Sequence, residues 1–155
     1  MCAVGVWRRW DWVDEHVAVG ALPSARFLRQ LADAGISALV NLCVEYSGNE
    51  RSLAALSMTQ LHLPTLDYHR PSADDIARAV DFIKEQIEVG KKTYIHCKAG
   101  RGRSVTIAVG YLMATRQISA NEAFLHIKSI RPNIDSDIPH APEVEAYAER
   151  IGVKS

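Results

Sequence analysis

The stretch Tyr94-Ile95-His96-Cys97-Lys98-Ala99-Gly100-Arg101-Gly102-Arg103-Ser104 constrains this chain more than any other. A β-type run, Thr93 to Ile95, enters it, and a strongly apolar helical run, Val105 to Met113, leaves it. A loop between a strand and a helix N-terminus gathers backbone N–H groups into one concavity, and the helix dipole adds positive potential there. Such a place takes an anion, and a phosphate monoester fits it best. The helix that follows is apolar nearly all round, which makes it a buried central helix rather than a surface one.

Cys97 makes the stretch more than a binding loop. A thiolate is favoured at a helix N-terminus beside cations, and Lys98, Arg101 and Arg103 all lie within six residues of it. Gly100 and Gly102 lack Cβ atoms and let the backbone curl closely around an oxyanion. Arg103 can fork across two phosphate oxygens in a way lysine cannot. Ser104 is placed to hydrogen-bond the sulfur and help it depart from a phosphocysteine. His96 orients the loop by hydrogen bonding and is not placed as the base. Cys2 and Cys43 carry no such context and read as ordinary residues.

The pairing of His96-Cys97 with Arg103-Ser104 resembles the cysteine–five–arginine signature of the protein tyrosine phosphatase superfamily, in its dual-specificity branch. Further landmarks are Trp12-Val13, Val19-Gly20-Ala21-Leu22-Pro23 and Leu63-Pro64-Thr65-Leu66-Asp67-Tyr68. Together they look like the phosphatidylglycerophosphate phosphatases of mitochondrial and plant type. The resemblance implies an α/β fold of compact dual-specificity type, with a short, mostly parallel central sheet flanked by helices. It implies that Ala99, Gly100 and Gly102 bind substrate with Lys98, Arg101 and His96. It also implies that the acidic and aromatic pair Glu45-Tyr46 borders the site. Asp67, thirty residues before Cys97, stands where this branch keeps its general acid, on a loop restrained by Pro64 and Pro71. Asp74 and Asp75 are the runners-up, although they also suit the first turn of a helix capped by Ser72.

At 155 residues the chain suits one domain, 1–155. Its 48% apolar and 23% charged residues are ordinary for a globular protein. Eighteen basic residues balance eighteen acidic ones, so no global field draws the chain to nucleic acid. Attraction to phosphate must be local. The cysteines form no CxxC pair, which argues for a reducing compartment over a disulfide framework. The longest apolar run, Val105 to Ala114, falls short of the ~20 residues of a spanning helix. Met1 to Trp10 is too short and too weakly basic for a transit peptide. The expectation is a monomeric, cytoplasmic protein of bacterial type, or a processed chain, peripheral at the inner membrane surface.

Along the chain, Trp7, Arg8, Arg9, Trp10 and Trp12 crowd three tryptophans together. They suit a membrane-interface anchor or, preferably, a cover over the end of the core. Val17–Gly20, Ile36–Cys43 and Thr59–Leu63 read as strands, and residues 51–57 as a short helix. Ser24 starts a helix ended by Gly35, and Gly90 stops the helix after Ser72. Ser119 and Glu122 form a capping box, and Pro142 begins a last amphipathic helix.

The resulting expectation is a phosphomonoester hydrolase with a phosphocysteine intermediate, needing no cofactor or metal because the cationic loop supplies the electrostatics. Lys98 and Arg101 favour a headgroup with a second phosphate. By resemblance the substrate is phosphatidylglycerophosphate, met as a lipid headgroup in transient contact with a membrane surface. Phosphoinositides and phosphoproteins are the alternatives within the same chemistry. A non-catalytic phosphate-binding module and a rhodanese-type sulfurtransferase are the alternatives outside it.

Overall fold

The computed structural model describes residues 9–154; Cys2, Trp7 and Arg8 lie outside them. Five strands form one sheet in the order β1-β2-β5-β3-β4. These are β1 (Trp10–Trp12), β2 (Val17–Gly20), β3 (Ile36–Cys43), β4 (Thr59–Thr65) and β5 (Lys92–His96). Only β1 runs antiparallel, against β2; the β2–β5, β5–β3 and β3–β4 pairs are parallel. The mostly parallel α/β sheet is thus as expected, while β1 was hidden in the tryptophan cluster.

Period-two alternation divides the strand residues between two apolar layers. Val17, Val19, Val40, Leu42 and Ile95 face one layer, and Ala18, Leu39 and Tyr94 face the other. Helices α1 (Ala25–Asp33) and α2 (Glu50–Ala55) cover the Tyr94 face. The opposite face carries α3 (Ala73–Glu88), α4 (Arg103–Arg116), α5 (Ala120–Ile130) and α6 (Pro142–Ile151). In α4 every residue from Arg103 to Met113 is buried, so the helix lies between the sheet and its outer helices. Trp10 and Trp12 are half-buried over the α1 side. Trp10 packs on Phe27 at 6.3 Å and on Tyr94 at 6.4 Å between ring centroids, which is the core-covering role for these two.

The helix starts follow their caps. Ser24 Oγ accepts from Phe27 N–H, Ser72 Oγ from Asp75 N–H, Ser119 Oγ from Glu122 N–H, and Asn49 Oδ1 from Ser52 N–H. Helix α4 differs: it begins at Gly102-Arg103 with no side-chain cap. Its first-turn N–H groups therefore remain for something else. Because β5 is the middle strand, its carboxyl end opens where connections diverge to both sides, the usual place for a ligand in a parallel sheet.

Candidate active site

The β5–α4 loop is a cradle because its carbonyls are held away. Lys98 C=O accepts from Leu22 N–H at 3.1 Å, and Arg101 C=O from Asp135 N–H at 3.0 Å. Arg131 donates from Nε to Gly100 C=O at 2.7 Å and from Nη2 to Ala99 C=O at 3.2 Å. Gly102 C=O accepts from both the N–H and the Oγ1 hydroxyl of Thr106. Five consecutive carbonyls are thus engaged from outside the loop. A planar trans peptide points its N–H opposite to its C=O, so the amides turn toward the cleft. Buried Arg131 is in turn held by Asp11 Oδ2 at 2.8 Å, which gives β1 its purpose. Neither residue carries a local sequence signal, because they are 120 positions apart.

Cys97 lies on the cleft floor and is 3% exposed. Its Sγ stands 3.2 Å from Ser104 Oγ and accepts from Gly100 N–H at 3.3 Å. The hydroxyl and the amide hold the sulfur in place on the cleft floor. Cys43 is the other described cysteine. Burial, then the nearby Glu45 carboxylate, pushes the Cys43 thiol up to about 12, so it stays protonated.

Arg103 spans the cleft wall. Its Nη1 donates to Glu45 Oε1 at 2.7 Å and to Thr65 C=O at 2.9 Å, and its Nη2 donates to Glu45 Oε2 at 3.0 Å. Asp67 Oδ1 stands 3.4 Å from the same Nη2. Burial works against the charge on Arg103, and the Glu45 hydrogen bonds more than restore it. Those same bonds hold the Glu45 carboxyl at about 2. Glu45 is therefore fixed at the site by a bidentate pair with arginine. Tyr46 is not at the cleft: its carbonyl accepts from Asn41 Nδ2 at 2.8 Å, and its ring packs near His96.

The cleft, about 310 Å³, is lined by Asp67, Tyr68, Arg70, Cys97, Lys98, Ala99, Arg101, Gly102, Arg103 and Asp135. Most residues singled out in the sequence therefore converge; Ser104 and Glu45 stand behind the lining, against Cys97 and Arg103, and three others do not line it either. His96 is fully buried and stacked on Tyr94 at 5.8 Å, so it cannot touch a substrate. Burial pushes its pKa down to about 4, which keeps the ring neutral and packed under the loop. Tyr46 is the second exception. Gly100 is the third: it supports Cys97 from within the loop. Asp74 and Asp75 lie in the first turn of α3, paired with Arg150 and Arg78, so of the three candidate acids Asp67 is the one that lines the cleft.

Sequence reasoning missed Arg70, Asp135 and Asp137. Arg70 Nη2 meets Asp135 Oδ2 and Asp137 Oδ1, each at 2.8 Å, and its Nε donates to Asp137 Oδ2 at 3.1 Å. Burial opposes the charge on Arg70, and its hydrogen bonds to Asp137 and Asp135 outweigh that cost. The cluster ties the Asp67 loop to the segment before α6.

Residues 17–150 match the family described as dual specificity phosphatase, catalytic domain. A phosphatidylglycerophosphate phosphatase of Arabidopsis thaliana, PTPMT2, is 39% identical over 130 residues, covering 82% of this chain and 57% of that protein. A second phosphatidylglycerophosphate phosphatase of the same plant is 38% identical over 130 residues, with 39% of its length covered; the chain thus spans about half the length of these curated relatives. The human phosphatidylglycerophosphatase and protein-tyrosine phosphatase 1 is 33% identical over 134 residues, 80% of this chain and 67% of that one. The crystal structure of PTPMT1 in complex with PI(5)P superposes with a TM-score of 0.86 at 25% identity, over 94% of this chain and 97% of that one. With similarity running unbroken from β2 into α6, the chain belongs to the dual specificity phosphatase catalytic domain family.

Proposed function

We propose that the protein hydrolyses phosphate monoesters through a phosphocysteine and that its substrate is phosphatidylglycerophosphate. The observation carrying the chemistry is the Cys97 sulfur at the floor of an inward-facing amide cradle, with Arg103 and Asp67 above it. A phosphate dianion enters with its oxygens on the loop N–H groups and Arg103. Among the described residues the Arg103 Nε has no partner, and it offers an N–H to an incoming oxygen. The Cys97 thiolate attacks phosphorus; the S–P bond forms as the ester P–O bond breaks. Protonated Asp67 gives its proton to the departing alkoxide. Water then attacks the phosphocysteine, Asp67 takes its proton, and phosphate leaves as the thiolate returns to its donors, Ser104 Oγ and Gly100 N–H.

For the substrate, support comes from the similarity to phosphatidylglycerophosphate phosphatases and from exposed Lys98 and Arg101 at the cleft. These cations suit a headgroup with more than one phosphate. A phosphoinositide is the second reading, because PTPMT1 has been solved with PI(5)P; dual-specificity protein phosphatase activity is the third. The discriminating experiment is phosphate release from short-chain phosphatidylglycerophosphate, a phosphoinositide panel and a phosphotyrosine peptide, each beside Cys97→Ser. Preference for phosphatidylglycerophosphate, abolished by the substitution, is expected. Preference for the peptide would overturn the lipid assignment, and release that survives in Cys97→Ser would overturn the mechanism.

A further inference from the structure

Five large apolar side chains are well exposed among the described residues: Val44, Leu66, Tyr68, Val89 and Leu125. Scattered exposed apolar residues are normal. Here Tyr68 lines the cleft, and Val44 and Leu66 adjoin in sequence the two carboxylates that meet Arg103. Val44 precedes Glu45, and Leu66 and Tyr68 bracket Asp67; both carboxylates reach Arg103. The parallel register of β3 and β4 pairs Cys43 with Thr65, so Val44 and Leu66 emerge side by side from neighbouring strands.

Tyr68 is the most telling of the three. It is 90% exposed and has φ of +64°, a left-handed conformation that costs a tyrosine on the order of 1–2 kcal/mol. The turn is closed by His69 N–H donating to Leu66 C=O at 3.1 Å, and Tyr68 N–H donates to Asp67 Oδ1 at 2.9 Å. Glycine or asparagine would fill the position without strain. The chain instead holds a large amphipathic ring out into water. An observed outlier of this kind points to a role at that spot.

The charge around these tips selects the partner. Asp67 pairs with Arg103, and Asp135 and Asp137 pair with Arg70. Lys98 and Arg101 line the same cleft, and neither makes an ion pair among the described residues. Separate apolar tips beside uncompensated cations suit a fluid anionic interface, where tyrosine sits at headgroup depth and each cation near the surface adds attraction.

We propose that this rim, formed by Val44, Leu66 and Tyr68 with Lys98 and Arg101, docks the protein on an anionic lipid surface with the cleft facing the headgroups. The proposal deepens the lipid assignment made above and rests on it for its purpose, but its test does not use turnover of a lipid. Partitioning of the whole protein is measured by co-sedimentation with phosphatidylcholine vesicles, with and without phosphatidylglycerol. The wild type is expected to bind the anionic vesicles and to be released by salt. The double variant Val44→Ser, Leu66→Ser should lose about tenfold or more in partitioning, the scale of apolar area left in water. Its turnover of a soluble aryl phosphate should stay within about twofold of wild type, because neither side chain lines the cleft. Tyr68→Gly should bind vesicles more weakly while melting no lower than wild type, since it relieves the left-handed strain. Leu66→Trp should bind more tightly, and it keeps the test decisive if the double variant folds poorly.

A wild type that ignores anionic vesicles overturns the proposal and leaves the rim to a protein partner. Partitioning unchanged by these substitutions overturns it as well. If phosphatidylglycerophosphate is hydrolysed in micelles but vesicles do not recruit the protein, the rim proposal fails and the assigned reaction stands. If vesicles recruit it through the rim but no lipid is hydrolysed, the assigned substrate fails and the docking surface stands.

Discussion

The cradle depends on Gly100 having no side chain, and this can be separated from backbone conformation by a pair of substitutions. Gly100 and Gly90 have nearly the same left-handed backbone, with φ of +71° and +77°. An added Cβ at Gly100 would sit 2.5 Å from the carbonyl carbon of Gly20, 2.7 Å from its oxygen and 2.8 Å from Arg131 Nη2. At Gly90 it would meet nothing within 4 Å. Gly90→Ala therefore costs the conformational term alone, on the order of 1–2 kcal/mol. Gly100→Ala adds a collision with backbone that cannot swing aside, typically another 1–3 kcal/mol for overpacking. For a domain of this size each kcal/mol lowers Tm by about 2–4 °C, so Gly100→Ala should melt several degrees below Gly90→Ala. The relief available to Gly100→Ala is to push the loop off Gly20 and Arg131. That lengthens the Gly100 N–H contact to Cys97 Sγ and releases the outward-held carbonyls. Turnover of an aryl phosphate should fall roughly a hundredfold, by analogy with losing one oxyanion donor, while Gly90→Ala keeps wild-type turnover. Calorimetry and steady-state kinetics on the two variants settle it. Equal Tm losses, or an active Gly100→Ala protein, would refute the claim that close packing behind the loop aims its amides.

Further expected outcomes concern single side chains. Asp67→Asn should lower kcat on alkyl phosphates about 10²–10⁴-fold, and much less on aryl phosphates whose leaving group needs no proton; equal losses on both would remove Asp67 as the acid. Glu45→Ala leaves Arg103 buried without its fork. Because the Glu45 carboxylate is 37% exposed, the cost is discounted to about 1–2 kcal/mol, read from the urea midpoint, with a fall in kcat/KM as the guanidinium loses its orientation. For His96 the folded pKa of about 4 lies below the ordinary 6.5. The unfolded chain binds the extra proton in that window, so stability is complete above pH 6.5 and lost as pH falls toward 4, by on the order of 3 kcal/mol. Urea titrations across that range should show the slope in wild type and lose most of it in His96→Phe.

The features legible in the sequence are those whose causes are local. Ser24, Ser72 and Ser119 cap helices through atoms three residues away. Strand β3 was bounded by its own β-branched and apolar content, and the unbroken apolar character of α4 announced its burial. The Cys97–Arg103 loop was visible because cradle, nucleophile and clamp are consecutive. What escaped depends on contacts between distant segments. The fork between Glu45 and Arg103 spans 58 positions, the Arg70–Asp135 contact 65, and the Arg131–Asp11 contact 120. No periodicity or spacing encodes such pairs: Arg70, Asp135, Asp11 and Arg131 alone look like ordinary solvated surface, and Glu45 was placed near the site without its fork to Arg103. His96 differs in the other sense: the resemblance placed it among the substrate-binding residues, but strand alternation turns its ring beneath the sheet end, against Tyr94.

The central claim is that Cys97 carries the phosphoryl group between two half-reactions. Ser104→Ala removes the hydroxyl 3.2 Å from Sγ that steadies the thiolate as it is released, so breakdown of the intermediate should become the slow step. Rapid acid quench of this variant during turnover of an aryl phosphate, followed by mass analysis of the intact chain and its peptides, measures that intermediate directly. One phosphoryl group per chain is expected, on the peptide containing Cys97, and none in Cys97→Ser. Turnover with no covalent adduct, or an adduct on any other residue, would contradict it.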